Sequence, residues 1–391
     1  MTTVRSDTRR IQAIRPPVVA VIERLIASTP GTISLGQGMV RFGPPVAAAE
    51  ALARAGGSPD LHRYGPVDGL RPLVEGLADK LEQDNGITVH PASRVVVTAG
   101  SNMGFVNAVL AIADPGDEIV LPVPFYFNHE MAVVMASCRP VPVPTDEHYQ
   151  LDLDAIEEAI TPRTRAIVTV SPNNPAGVIY PEAALRTVNT LCRDRGLFHI
   201  SDEPYEYFLF DGATHFSPGS LPDAGAHTIS LYSFSKAFGF AGWRIGYMVI
   251  PKALVGAVEK IQDTILACPP AASQYAAAGA LSVGAAYCRE RLPELAEVRR
   301  IVRDTLADVS DLCTLPDADG AMYYLARIQA PIGSLELATR LIHEHRVAVI
   351  PGTAFGLADG CYLRISYGAV DVREAAEGTS RLARGLRAIV G

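Results

Sequence analysis

Short β-branched and apolar runs alternate with amphipathic stretches through the middle of the chain, and this alternation sets the expected architecture. RVVVT (94–98), EIVLP (118–122), RAIVTV (165–170), LFHIS (197–201), TISLYS (228–233) and RIGYMVI (244–250) read as buried strands. Helical patterns fall between them: after Ser101, from Asp154 with Glu157 three residues on as a capping box, and from Pro181 through Arg195. Strands separated by helices predict a mostly parallel sheet with helices covering it. Past about residue 285 the texture changes to a charged helical pattern over Arg289–Val309, then apolar runs YYLARI (323–328) and VAVIP (347–351), and a helix-like tail over 371–389. The expected fold class is therefore α/β: a large domain with a mostly parallel, helix-covered sheet plus a smaller α/β domain.

Composition narrows the function classes. At 391 residues with 48% apolar and 19% charged content, the chain can bury a large core as one big domain or two. A formal net charge of −8 lacks the clustered Lys and Arg that nucleic-acid binding needs. The six cysteines show no CxxC spacing, which suits reduced thiols better than a disulfide frame or a zinc site, and no metal is expected. Residues 1–30 hold no apolar core followed by a small-residue cleavage site, and the low-charge region 264–287 is broken by Pro269 and Pro270. A soluble, cytoplasmic protein with no membrane partner is the expectation.

Candidate chemistry concentrates in SFSKAFGFAGWRIG (233–246). Lys236 follows the strand TISLYS, between small hydroxyl residues and an apolar turn, with Arg244 eight positions on. Most lysines are solvated surface charges. Burial beside a second cation instead lowers an amine's pKa and makes it a nucleophile able to form a Schiff base. VVVTAGSNMGF (95–105) is a strand entering a helix through a small-residue turn, where free N–H groups and the helix dipole favour an anion, although most such junctions are plain turns. Arg364, mid-strand between Leu363 and Ile365, needs a partner if buried and has the planar fork that binds a carboxylate bidentately. Asp202, after the strand LFHIS, is either a helix cap or a functional carboxylate, and Pro204 leaves both open.

S-x-S-K with an arginine eight residues later in GWRIG resembles the lysine signature of the class I/II pyridoxal-phosphate aminotransferases, the fold-type I group. LGQG (35–38), YGPVDGLRPL (64–73), SPNNPAG (171–177), SDEPYEYF (201–208) and LRISYG (363–368) resemble that family's motifs in the same order, covering the chain from about residue 33 to its end. The resemblance implies pyridoxal 5'-phosphate held through a Schiff base on Lys236, with the phosphate on Gly100, Ser101, Asn102, Ser233, Ser235 and Arg244. Tyr64 matches the tyrosine that reaches this phosphate from the neighbouring subunit, which implies a homodimer with shared sites. Asp202 matches the partner of the pyridinium nitrogen, and Asn174 and Tyr205 match the groups bonded to the ring hydroxyl. Tyr126 matches the aromatic stacked on the ring, a choice over Phe125 and Phe127 that rests on register alone. Arg364 matches the substrate carboxylate's arginine, with Gly36 and Gly38 giving close backbone approach. The expected division is an N-terminal arm with part of the small domain (1–45), a large cofactor-binding domain (46–283) and a small C-terminal domain (284–391).

The expected reaction moves an amino group between an amino acid and a 2-oxo acid; a lyase or γ-replacement synthase on the same scaffold is the alternative. A regulatory sensor built on this fold would carry an appended DNA-binding domain, for which the N-terminus leaves no room. Two departures bear on substrate. Where some acidic-substrate relatives carry a lysine, this chain has Asn102, and ACPPAASQ (267–274) holds no arginine for a second carboxylate. LGQGMVRF replaces the common LGxGEPDF, leaving Arg41 either as a surface group or as a ligand for a polar or anionic distal group on the substrate.

Overall fold

The computed structural model describes residues 8–89 and 92–391. Its strands are β1 (Ile33–Ser34), β2 (Ser93–Thr98), β3 (Glu118–Val123), β4 (Arg139–Pro144), β5 (Thr164–Val170), β6 (Phe198–Asp202), β7 (Thr228–Ser233), β8 (Gly246–Pro251), β9 (Cys313–Thr314), β10 (Tyr323–Ile328), β11 (Val347–Ala348), β12 (Ile350–Pro351) and β13 (Cys361–Ser366). The central sheet has seven strands in the order β2-β8-β7-β6-β5-β3-β4, with β8 alone antiparallel to its neighbours. Its strands are apolar on both faces because helices cover both: Val95 and Val97 of β2 enter one core while Val96 enters the other. A second sheet, β12-β13-β10-β9, is antiparallel, and β1 pairs in parallel with β11. The N-terminal segment is thereby tied to the C-terminal part of the chain. Among the described residues no helix is long and apolar enough to cross a membrane.

Several local expectations are corrected. RPVPVP forms β4, a strand the proline content hides; it lies at the sheet edge beside β3 alone, where Pro140, Pro142 and Pro144 cost few ladder bonds. The helix expected from Asp154 starts at Leu153, and its cap is Asp152, whose carboxylate accepts from the Ala155 N–H at 3.0 Å. The Arg289–Val309 pattern is split into helices Ala286–Arg289 and Leu292–Ala307, the second opening with Pro293 in its first turn. VAVIP is two strands serving different sheets. Arg244, read as the first residue of a strand, sits before it with φ 51° and ψ 59°.

Candidate active site

The parallel strands deliver the chemistry to one edge. The residues that follow the carboxyl ends of β2, β3, β5, β6 and β7 line a cavity of about 340 Å³, joined there by Arg364 of β13 and Tyr323 of β10. Open α/β sheets place their crevices on this edge, where chains leave the strands and helix N-termini point inward. Of the residues singled out in the sequence, Gly38, Ser101, Asn102, Tyr126, Asn174, Asp202, Tyr205, Ser233, Ser235, Lys236, Arg244 and Arg364 share this cavity.

One end is built for an anion. Gly100, with φ 84°, caps the helix Ser101–Ile112, whose first turn presents free N–H groups. A side chain at position 100 would run into the Arg244 guanidinium, so glycine is required by both conformation and space. Arg244 donates to the Ala241 and Ala99 carbonyls at 3.0 and 3.5 Å and, among the described residues, has no carboxylate partner. Ser233 caps the short helix carrying Lys236, accepting from the Ser235 N–H at 3.1 Å.

At the centre, Asp202 is 3% exposed and its Oδ2 lies 3.1 Å from His129 Nε2. Its Oδ1 is buried with no partner among the described residues. A buried carboxylate oxygen left so demands a donor. The Asn174 amide donates to Tyr205 Oη at 3.3 Å, and Tyr205 Oη lies 2.7 Å from Tyr323 Oη. Burial, then the neighbouring Tyr323, pushes the Tyr205 phenol well above its ordinary range.

The opposite end holds Arg364, 2% exposed. It donates to Asn174 Oδ1 at 2.9 Å and to the Gly36 carbonyl at 2.7 Å, while its Nε has no partner among the described residues. The guanidinium lies over the rings of Tyr323 and Phe355, at 4.7 and 5.1 Å. A buried cation without a carboxylate beside it is costly unless an anion arrives. Between the two arginines, the Lys236 amine donates to the Gly38 carbonyl. Burial, then Arg364 and Arg244, lower its pKa to about 8. The other lysines of the chain are unsuited: Lys80 is paired with Glu206 at 2.5 Å, and Lys252 and Lys260 are exposed.

These vacant valences fit pyridoxal phosphate with an amino acid beside it: a helix N-terminus and arginine for phosphate, an unpartnered carboxylate oxygen for a protonated ring nitrogen, and a buried guanidinium for a carboxylate. Residues 30–382 match the family model for aminotransferase class I and II. The chain belongs to that family.

This aminotransferase is 35% identical to the aromatic aminotransferase of Arabidopsis thaliana, over 98% of this chain and 97% of that protein. It is 32% identical to the aspartate aminotransferase of Pyrococcus abyssi, over 97% of each. Among solved structures, the Thermus thermophilus aspartate aminotransferase with maleate superposes with a TM-score of 0.90 at 31% identity, covering 98% of this chain and all of that one. The fold is accordingly fold-type I, and the enzyme is a pyridoxal-phosphate-dependent transaminase that acts on amino acids and 2-oxo acids.

Four singled-out residues lie outside the cavity lining. Gly100 and Gly36 flank it through Arg244 and Arg364. Tyr64 is 89% exposed on this chain. Arg41 is not among the residues lining the cavity: it lies 3.4 Å from Glu294 and 3.6 Å from Asp371 at the surface of this chain. The sequence reading missed His129 and Tyr323. His129 is hidden three residues past Tyr126 in an aromatic run, and its stacking on Phe105 at 4.0 Å is a tertiary fact. Tyr323 sits in a run legible only as a strand, YYLARI.

Proposed function

We propose that this transaminase uses Lys236 as its cofactor-bearing amine and proton carrier, and that its amino acid substrates carry neutral side chains. The observation that carries the first part is the position of one half-buried amine between two cations, its pKa lowered to about 8 by burial and by those cations, so that a substantial neutral fraction exists near pH 7–8. Bound pyridoxal phosphate supplies the electron sink for charge developing at the substrate α-carbon. Asp202 would keep the ring nitrogen protonated through Oδ1, and His129 would hold that carboxylate from its other oxygen. Arg364 would clamp the α-carboxylate in its plane, which orients the α-hydrogen toward the Lys236 amine. Lys236 would then take the proton from the α-carbon and return it two atoms along, on the carbon at the far side of the substrate nitrogen.

The side-chain class rests on the cations. Lys236, Arg244 and Arg364 are the cations lining the cavity, and each has a task; this chain offers no fourth for a distal carboxylate among the described residues. Val19 and Phe127 add carbon surface. A charge-assisted bond of about 1.5–3 kcal/mol is thereby missing for an acidic substrate. Initial rates with a panel of amino donors and 2-oxoglutarate test this: neutral donors, aromatic ones included, should exceed aspartate in kcat/KM by at least about tenfold. A preference for aspartate would refute the side-chain assignment.

The functional unit is proposed to be a homodimer. Tyr64 and Val46 are 89% and 74% exposed on the isolated chain, and the Gly65 N–H lies 3.3 Å from Cys268 Sγ, joining two segments expected to face a partner. Six free cysteines favour a reducing compartment such as the cytoplasm.

A further inference from the structure

Phe127 and the N-terminal helix stand between the substrate cavity and a second, mostly apolar chamber. Phe127 lines the cavity of about 340 Å³ that holds Lys236, and it also lines a chamber of about 290 Å³ under the N-terminal helix Val18–Ser28. That helix is the other shared wall: Val19 faces the first cavity, while Val18 and Val21 face the second. Pro16, Met131, Leu335 and Ala354 complete the apolar lining of the second chamber. Arg15 stands at its rim, where it donates to the Thr353 carbonyl at 2.8 Å and lies 3.5 Å from Glu130.

Phe127 is placed to meet a substrate side chain. It is the first residue of the helix Phe127–Met135, its ring centroid 4.8 Å from that of Tyr126 and 5.9 Å from that of Phe355. Phe355 in turn lies under the Arg364 guanidinium. Of the apolar lining, Tyr126, Val170, Pro204 and Tyr205 belong to the half of the cavity around Asp202 and Asn174, which the cofactor ring would fill. Of the rest, Tyr323 lies under the Arg364 guanidinium with its hydroxyl on Tyr205, and Val19 and Phe127 are the carbon surface left over.

We propose that Phe127 sets the upper size of the substrate side chain, as the partition that keeps it out of the chamber lined by Val18, Val21 and Met131. The inference rests on the neutral-substrate reading. With the ring in place, a side chain held by Arg364 stops against Phe127 and Val19. With the ring removed, the chamber extends the pocket by the volume of an indole or more, and nothing charged lines the new wall except the rim pair Arg15 and Glu130.

The test compares tryptophan with methionine as amino donors, and measures binding of the unreactive indole-3-propionate by calorimetry, on cofactor-loaded wild type, Phe127→Ala and Phe127→Leu. Phe127→Ala should raise the tryptophan-to-methionine ratio of kcat/KM by about tenfold or more and tighten indole-3-propionate by a similar factor, with Phe127→Leu between it and wild type. Adding Val21→Phe, which refills the chamber from its far side, should reverse the gain. Ratios and affinities within about twofold of wild type in both variants, at normal cofactor absorbance, would overturn the proposal. If wild type prefers aspartate, the neutral-substrate reading fails on its own, and indole-3-propionate binding judges Phe127: tightening in the variants supports the partition, and no change overturns it.

Discussion

His129 grips Asp202 by one oxygen and leaves the other free: Nε2 lies 3.1 Å from Oδ2, while Oδ1 is buried with no partner among the described residues. The imidazole is itself fixed by stacking on Phe105 and by an edge contact with Tyr126 at 5.3 Å. A carboxylate held in this way is pre-oriented for a second donor and does not reorganise when that donor arrives. Asp202→Ala should lower kcat by about a thousandfold or more while the cofactor stays bound, since the electron sink is lost and the phosphate grip is not. His129→Phe, which keeps the stacked ring, should cost about ten- to a hundredfold, as expected of a positioning residue. Steady-state rates with cofactor content measured in parallel decide this, and a loss below tenfold for Asp202→Ala would mean that the ring charge is held elsewhere.

The lowered pKa of Lys236 predicts a pH dependence. Only the neutral amine attacks a carbonyl, so the rate at which cofactor attaches to the cofactor-free protein should rise through about pH 8 and level off above it. Because the folded-state value lies below the ordinary 10.5, this group's contribution to folding stability also rises with pH between those limits. After burial, Arg364 is the largest cause of the lowering, so Arg364→Met should move the kinetic midpoint upward. A midpoint unchanged by that substitution would show that Arg364 does not act on the amine.

Arg41 should be kinetically silent. Its guanidinium is 55% exposed and spans Glu294 and Asp371, a solvated pairing that contributes little. Arg41→Ala is expected to change KM for every amino donor by less than about threefold; a loss of tenfold or more confined to polar or anionic donors would place it in the substrate site.

Legibility in the sequence followed the reach of local signals. Lys236, Asp202 and Ser101 each follow a hydrophobic run, and β7 coincides with TISLYS because both of its faces are covered, Ile229 and Leu231 entering one core and Tyr232 the other. β4 escaped because alternate prolines argue against a strand everywhere except at an edge, and edge position is a property of the whole sheet. Arg41 was ambiguous because its partners lie some 250 and 330 residues away in the chain, and no spacing rule connects them. The hold of His129 on Asp202 crosses 73 residues for the same reason.

Tyr64 is expected to serve the partner's site. Mixing Tyr64→Phe with Lys236→Ala subunits forms hybrid dimers in which one site has both its own Lys236 and an intact Tyr64 from the other subunit. Cofactor retention on dilution should then exceed that of either parent. Retention equal to the Tyr64→Phe parent, with hybrids present by native mass spectrometry, would place Tyr64 outside the site.

The central claim is that one lysine, Lys236, bears the cofactor. The chain has four lysines, Lys80, Lys236, Lys252 and Lys260, so borohydride reduction of the loaded enzyme followed by peptide mass mapping gives an unambiguous answer. The account predicts the reduced cofactor's mass on the peptide containing Lys236 alone, and its loss in Lys236→Ala. Stoichiometric label on Lys80, Lys252 or Lys260, or label retained by the Lys236→Ala variant, would contradict it.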